Sequence, residues 1–154
     1  MLFFNTFVFI KFILGEPINP PTNKFLGLWY KSIGLPDWEV YPEGLTKIIE
    51  NEVKRYSIDI PIHITENGMA NKDFHISGKV DDQKRIDYYF LHLQEVKTLI
   101  EKGFNIKSYF AWSLLDNFEW SLGYSKRFGL VYVDFESQKR IKKKSWYAFA
   151  ENLN

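Results

Sequence analysis

Apolar residues fall at Leu45, Ile48, Ile49 and Val53, the i, i+3, i+4, i+8 spacing of one helical face, just after Pro42-Glu43-Gly44. Proline suits a first helical turn, so this pattern predicts a helix from Pro42 to about Tyr56. The period then changes. Ile58 to Thr65 alternates apolar with other residues and is rich in β-branched types, which predicts a strand with Pro61 near its entrance and its end at Glu66-Asn67-Gly68. After a polar loop, Asp81 or Asp82 can cap a helix whose face runs Ile86, Phe90, Leu93, Val96 and Ile100, with Gly103 to end it. Ile106 to Leu115 returns as an apolar, aromatic strand, followed by an aromatic and polar loop from Asp116 to Phe128. Val131–Phe135 reads as a short further strand and Ser145–Leu153 as a closing amphipathic helix. A helix between two strands implies a parallel crossover, and parallel strands covered on both faces belong to α/β architecture.

Upstream the pattern is different. Gly15 to Pro42 holds five of the six prolines, so it reads as a long connection, with Phe25–Tyr30 a candidate strand inside it. Met1 to Leu14 is mostly apolar and aromatic but contains Asn5, Thr6 and Lys11. A secretory leader and a buried strand both remain open, and the Phe, Val and Ile content favours the strand.

Composition narrows the function classes. A chain of 154 residues that is 45% hydrophobic and 25% charged can bury a core as one domain. A net charge of +1, with only the short run Lys142-Lys143-Lys144, gives no basic stripe for nucleic acid. The 14-residue apolar start is shorter than a membrane span, so no membrane partner is expected. With no cysteine there are no disulfides, thiolate metal sites or cysteine nucleophiles. Together with the poor fit to a leader, this suggests a cytoplasmic location. The aromatic share of 18%, with 5 Trp, is high. Most such rings pack in cores, but some act as platforms for sugars, and position decides which.

Reacting groups in parallel α/β folds collect where strands end, because the loops there share one side. Glu66 and the loop starting at Asp116 both stand at such ends. Glu66, Trp112, Glu119 and Trp120 can therefore meet, joining carboxylates to aromatic faces in a mixture that suits a sugar. The plainer alternative makes Glu66 a cap for the next element and the tryptophans core.

Four blocks in order extend this reading: Trp38-Glu39-Val40-Tyr41-Pro42-Glu43-Gly44-Leu45, then Ile64-Thr65-Glu66-Asn67-Gly68, then Phe110 to Trp120 with Asn117-Phe118-Glu119-Trp120 at its end, then Gly123 to Asp134. They resemble glycoside hydrolase family 1, the β-glucosidase family, from about Trp38 to the C-terminus. The resemblance implies a retaining mechanism on a (β/α)8 TIM barrel and a small-molecule β-glycoside or oligosaccharide as substrate, with no cofactor and no metal. It makes Glu66 the nucleophile. It makes Trp112 the stacking platform under the glycone, Glu119 and Trp120 the pair that hydrogen-bonds its outer hydroxyls, and Phe128 an aromatic of the same pocket. Phosphoglycoside-cleaving relatives put small residues in place of the Glu-Trp pair, so Glu119 and Trp120 favour a non-phosphorylated glycone, which Lys126 and Tyr132 do not reverse.

The pattern breaks upstream. The family takes its acid/base from an Asn-Glu-Pro motif, and the only Glu-Pro here is Gly15-Glu16-Pro17, about fifty residues before Glu66. Glu16 is a poor fit for the acid, which leaves the acid/base unassigned. A (β/α)8 barrel takes about 250 residues. The expectation is the C-terminal part of an incomplete barrel over residues 38–154, behind a divergent segment 1–37, in a truncated chain. Its open strand edges could self-associate, and an inactive remnant with weak sugar binding is the alternative to a working enzyme.

Overall fold

The computed structural model describes residues 7–12 by their main chain, and residues 40–119 and 123–151 in full. The predicted segment Phe25–Tyr30 and Glu16 lie outside these residues, as do Trp38, Glu39 and Trp120. The elements are β1 (Phe7–Phe12), α1 (Glu43–Tyr56), β2 (Ile62–Gly68), β3 (His75–Ile76), β4 (Lys79–Val80), α2 (Gln83–Glu101), β5 (Ile106–Ala111), β6 (Val131–Val133), β7 (Arg140–Lys142) and α3 (Lys144–Glu151). They fall into two compact bodies, one from residues 1–67 and 91–111, the other from residues 68–90 and 112–154.

In the first body a three-stranded sheet runs in the order β1, β2, β5, and β2 and β5 are parallel as the intervening helix requires. Part of the apolar start of the chain is therefore a strand. Leu45 and Ile49 of α1, Ile62 and Ile64 of β2, and Val96 and Leu99 of α2 form one buried cluster. Full burial of each such side chain stabilises by roughly 1.5–3 kcal/mol. α1 ends at Ser57, whose left-handed backbone lets its N–H donate to the Val53 carbonyl. α2 ends at Gly103, with φ of +88°, where a side chain would be strained. Thr46 donates a hydrogen bond to Glu95, and Lys102 pairs with Glu50 at 2.6 Å.

Two boundaries and one buried face depart from the sequence prediction for clear physical reasons, and β6 stops at Val133 rather than Phe135. β2 begins at Ile62 rather than Ile58, because Pro61 has no N–H to give a sheet. β5 stops at Ala111 rather than Leu115, because the next residues turn to another partner. Ser113 N–H donates to Phe128 O, while Leu130 and Val131 donate back to Ser113 O and Leu114 O. The buried face of α2 is also not the predicted one. Phe90 and Ile100 are 52% exposed, while Arg85, Tyr88, Tyr89, His92, Val96 and Leu99 are buried. Arg85 takes a core position there because Asp73, Asp82 and the Arg127 carbonyl meet it.

Those partners are in the second body, which holds the antiparallel pairs β3·β4 and β6·β7 and the helix α3. Ser77 and Gly78, both with positive φ, make the two-residue turn between β3 and β4. The interior is ionic. Arg85 pairs with Asp73 and Asp82 at 2.8 Å each, and Lys143 with Asp73 and with Asp116 at 2.8 Å, all with side chains 0% exposed. Arg127 reaches Asp116 at 2.6 Å. Asp82 also accepts from Ser145 N–H at 3.0 Å and from the Ser145 hydroxyl, fixing the start of α3. Of the two expected capping residues, Asp82 stands at the start of α2, its carbonyl accepting from Arg85 and Ile86 N–H, but its carboxylate serves Arg85 and Ser145 rather than the helix amides, and Asp81 pairs with Lys144 at 2.7 Å.

Candidate active site

Glu66 stands near the C-terminal end of β2, half-buried. The register against β5 explains where it points. Ile64 lies opposite Tyr109 and Asn67 opposite Ala111, so Thr65 and Glu66 share the space facing Phe110 and the register shifts by one residue. Such a bulge re-aims side chains. Ile64 and Asn67 remain on the helix side, where the Tyr109 hydroxyl donates to the fully buried Asn67 Oδ1. Thr65 and Glu66 fall on the opposite face, with His63 and Ser108, whose side chains are joined at 2.7 Å. Among the described residues no cation or hydrogen-bond donor engages the Glu66 carboxylate. Partial burial alone pushes its pKa above the usual glutamate range.

The other described candidates belong to the second body. Trp112 follows the last residue of β5, its peptide bond to Ser113 is cis, and its carbonyl accepts from the buried Tyr89 hydroxyl at 3.1 Å. Burial raises the Tyr89 pKa, keeping that hydroxyl protonated as a donor. Gly68 is needed beside it, since a Cβ there would lie 1.8 Å from the Trp112 carbonyl oxygen. Glu119 is buried, and its main chain exchanges two hydrogen bonds with Gly123, at 2.8 and 3.1 Å, closing the loop tip. Phe128 is 1% exposed, and its carbonyl accepts from Ser113 N–H at 3.2 Å. The main chain thus ties Phe128 to the residue after Trp112.

Asp116 holds this loop. Its Oδ1 accepts from Lys143 Nζ at 2.8 Å and Gly129 N–H at 2.9 Å, and its Oδ2 from Arg127 at 2.6 Å and Val133 N–H at 3.3 Å. Arg127 also donates to Val133 O at 2.8 Å and stacks on Tyr132 with its guanidinium 4.0 Å from the ring centre. Its main chain pairs with Asn71 in both directions, at 3.0 and 3.1 Å. Sequence reasoning missed Asp116, Arg127 and Lys143 as a group, since charges scattered over a loop and a strand show no spacing rule. The predicted acid Glu16 is outside the described residues, which also include no cluster of His, Cys, Asp or Glu able to hold a metal.

A sequence profile described as Glycosyl hydrolase family 1 matches residues 30–154. The chain belongs to glycosyl hydrolase family 1. Its curated relatives include a 6-phospho-beta-galactosidase of Streptococcus equi subsp. zooepidemicus, 50% identical over 117 residues, covering 72% of this chain and 24% of the relative. A 1,4-beta-D-glucan glucohydrolase of Thermotoga neapolitana is 42% identical over 149 residues, covering 94% of this chain and 33% of the relative. Among solved structures, the AHE enzyme of Alicyclobacillus herbarius superposes with a TM-score of 0.72 at 46% identity, covering 75% of this chain and 26% of that one. A beta-glucosidase of Thermotoga maritima in complex with castanospermine gives 0.70 at 47% identity, over 75% and 27%. The family 1 chain thus spans about a quarter to a third of the length of these relatives, and its fold is part of a (β/α)8 barrel.

Proposed function

We propose that this chain carries the nucleophile and the glycone-recognising part of a retaining β-glycosidase that cleaves terminal, non-phosphorylated β-D-glucosyl or related residues. The observation that supports it best is the register shift in β2, which turns Glu66 away from the helices at the C-terminal end of a parallel strand. The ionised Glu66 carboxylate attacks the anomeric carbon as the glycosidic C–O bond breaks, and the departing oxygen takes a proton from a second carboxylic acid. Water then attacks the glycosyl ester, giving its proton to that second group and releasing the sugar with retained configuration. None of the described residues is proposed as the second carboxylate. Trp112 serves as platform and Glu119, Trp120 and Phe128 as contacts to the glycone.

A second reading, a 6-phospho glycone, draws on the 50% identity to the streptococcal 6-phospho-beta-galactosidase. The buried Glu119 speaks against it, since a carboxylate in a low-dielectric setting repels a phosphate dianion. An inactive remnant is the other alternative. One experiment addresses all three: the purified chain is incubated with an aryl β-glucoside, or with an aryl 6-phospho-β-galactoside, each carrying a good leaving group. Such a leaving group needs little acid assistance. Mass spectrometry should find a glucosyl adduct on Glu66 that Glu66→Gln abolishes. Preferential labelling by the phosphorylated glycoside overturns the glycone assignment, and no adduct from either on a folded chain supports the remnant.

A further inference from the structure

Two register shifts, not one, separate β2 and β5 from an even ladder. Ile62 lies opposite Ile106 but His63 opposite Ser108, so β5 spends an extra residue, Lys107, at the first shift. The second, between Ile64 and Asn67, spends the extra residue on β2. The offsets cancel, because Ile62 to Asn67 and Ile106 to Ala111 are both steps of five residues. An even ladder would therefore join the same two ends. In it His63 would face Lys107, and Glu66, by strict alternation from Ile62, would point to the helix side, into the apolar cluster of Leu45, Ile49, Val96 and Leu99. The shifted window, His63-Ile64 against Ser108-Tyr109, is what turns Glu66 to the other face. Within that window, on the face shared with Glu66, His63 Nδ1 and the Ser108 hydroxyl are joined at 2.7 Å. The even ladder forbids this bond, since Ser108 would then face the helices. The Tyr109–Asn67 bond spans the second shift from the helix side, whereas His63 and Ser108 stand between the two shifts, where each shift could relax into the other. We propose that His63 and Ser108 are positioning residues whose side-chain hydrogen bond holds the double shift and so aims Glu66 at the anomeric carbon. The inference rests on the nucleophile reading for the chemistry, but not for the direction of the Glu66 side chain.

The chain contains no cysteine, so an introduced pair reads the register in the full chain. His63→Cys with Ser108→Cys should oxidise to a disulfide, and His63→Cys with Lys107→Cys, the neighbours of the even ladder, should not. In Ser108→Ala and His63→Phe, labelling of Glu66 by a saturating aryl β-glucoside should slow about tenfold or more, with half-saturation moved by less than about threefold, because misaligned reacting groups lose rate rather than binding. Ser108→Thr keeps the hydroxyl and should restore the rate. The oxidised His63→Cys, Ser108→Cys chain should label at nearly the unsubstituted rate and slow on reduction, so that one protein serves as its own folding control. A second readout needs no glycoside: carbon-13 titration of the Glu66 carboxyl should move further up in Ser108→Ala, as the side chain turns toward the apolar cluster, and return in Ser108→Thr. Unslowed labelling together with an unmoved titration in Ser108→Ala, failure of Ser108→Thr to rescue, or a disulfide in the Lys107→Cys pair overturns the proposal. A titration that moves in this way while no variant labels, the unsubstituted chain included, supports the positioning and strikes the nucleophile reading alone.

Discussion

Removing both ends of the buried Lys143–Asp116 pair should cost less than the sum of removing each end alone. Three carboxylates, Asp73, Asp82 and Asp116, face three cations, Arg85, Arg127 and Lys143, so the cluster is neutral as built. Lys143→Met leaves one negative charge in excess among side chains that are 0% exposed, apart from Arg127 at 15%. Asp116→Asn leaves one positive charge in excess and turns an amide NH2 toward a cation or a backbone N–H. Breaking one partner of a buried pair costs about 3–5 kcal/mol. The double substitution restores two carboxylates against two cations, so its cost should fall short of the sum of the singles by about 2 kcal/mol, within the range of coupling energies between contacting residues. At roughly 2–4 °C per kcal/mol for a chain of this size, each single variant should melt on the order of 6–20 °C lower. The assay is thermal and urea unfolding followed by tryptophan fluorescence and circular dichroism for all four proteins. Additive losses, or single losses below about 1 kcal/mol, would refute the view that charge balance holds this interior together.

Gly68→Ala places a Cβ 1.8 Å from the Trp112 carbonyl, a main-chain atom that cannot swing aside, so at the upper end of overpacking costs it should lose about 3 kcal/mol on a urea melt. Tyr109→Phe removes the donor to buried Asn67 and should destabilise by about 1–2 kcal/mol by the same measurement. Because the folded chain holds the Glu66 proton more tightly than the unfolded chain, folding takes up a proton between the two pKa values, and stability falls as pH rises through that window just above the usual glutamate range. Glu66→Gln should flatten that slope in denaturation curves taken across mildly acid pH. In the unsubstituted chain the acid limb of Glu66 labelling should likewise lie above the ordinary glutamate range, and a limb at or below it would contradict the burial argument.

The apolar body was largely legible in the sequence. The period of Leu45, Ile48, Ile49 and Val53 gave α1, the alternation around Ile62 and Ile64 gave β2, and the helix between two strands gave their parallel pairing. One-residue features within it were not. The shift between Ile64 and Asn67 that aims Glu66 leaves no trace in hydrophobic alternation, because its position depends on what β5 offers as a partner. The face of α2 was misread for a related reason. Periodicity scores Arg85 and His92 as solvent positions, and Arg85 is buried only because Asp73, Asp82 and the Arg127 carbonyl meet it.

That contrast separates the roles of the two bodies. A strand or helix satisfies its own main chain, so the body with β2 can be closed by Ile, Leu and Val, and Glu66 is aimed by sheet register alone. The segment from Trp112 to Val133 is mostly loop, and a buried loop leaves amides and carbonyls that apolar side chains cannot answer. Asp116 answers two of them, at Gly129 and Val133, and the Arg127 side chain answers the Val133 carbonyl. Carboxylates used in this way need cations, and Lys143 and Arg127 supply them. The charged interior is therefore the physical condition for a well-ordered loop carrying Glu119 and Phe128. Substitutions in it should act on the proposed glycone contacts through loop order, whereas substitutions around Tyr109 and Asn67 should act through the strand that aims Glu66, the proposed nucleophile.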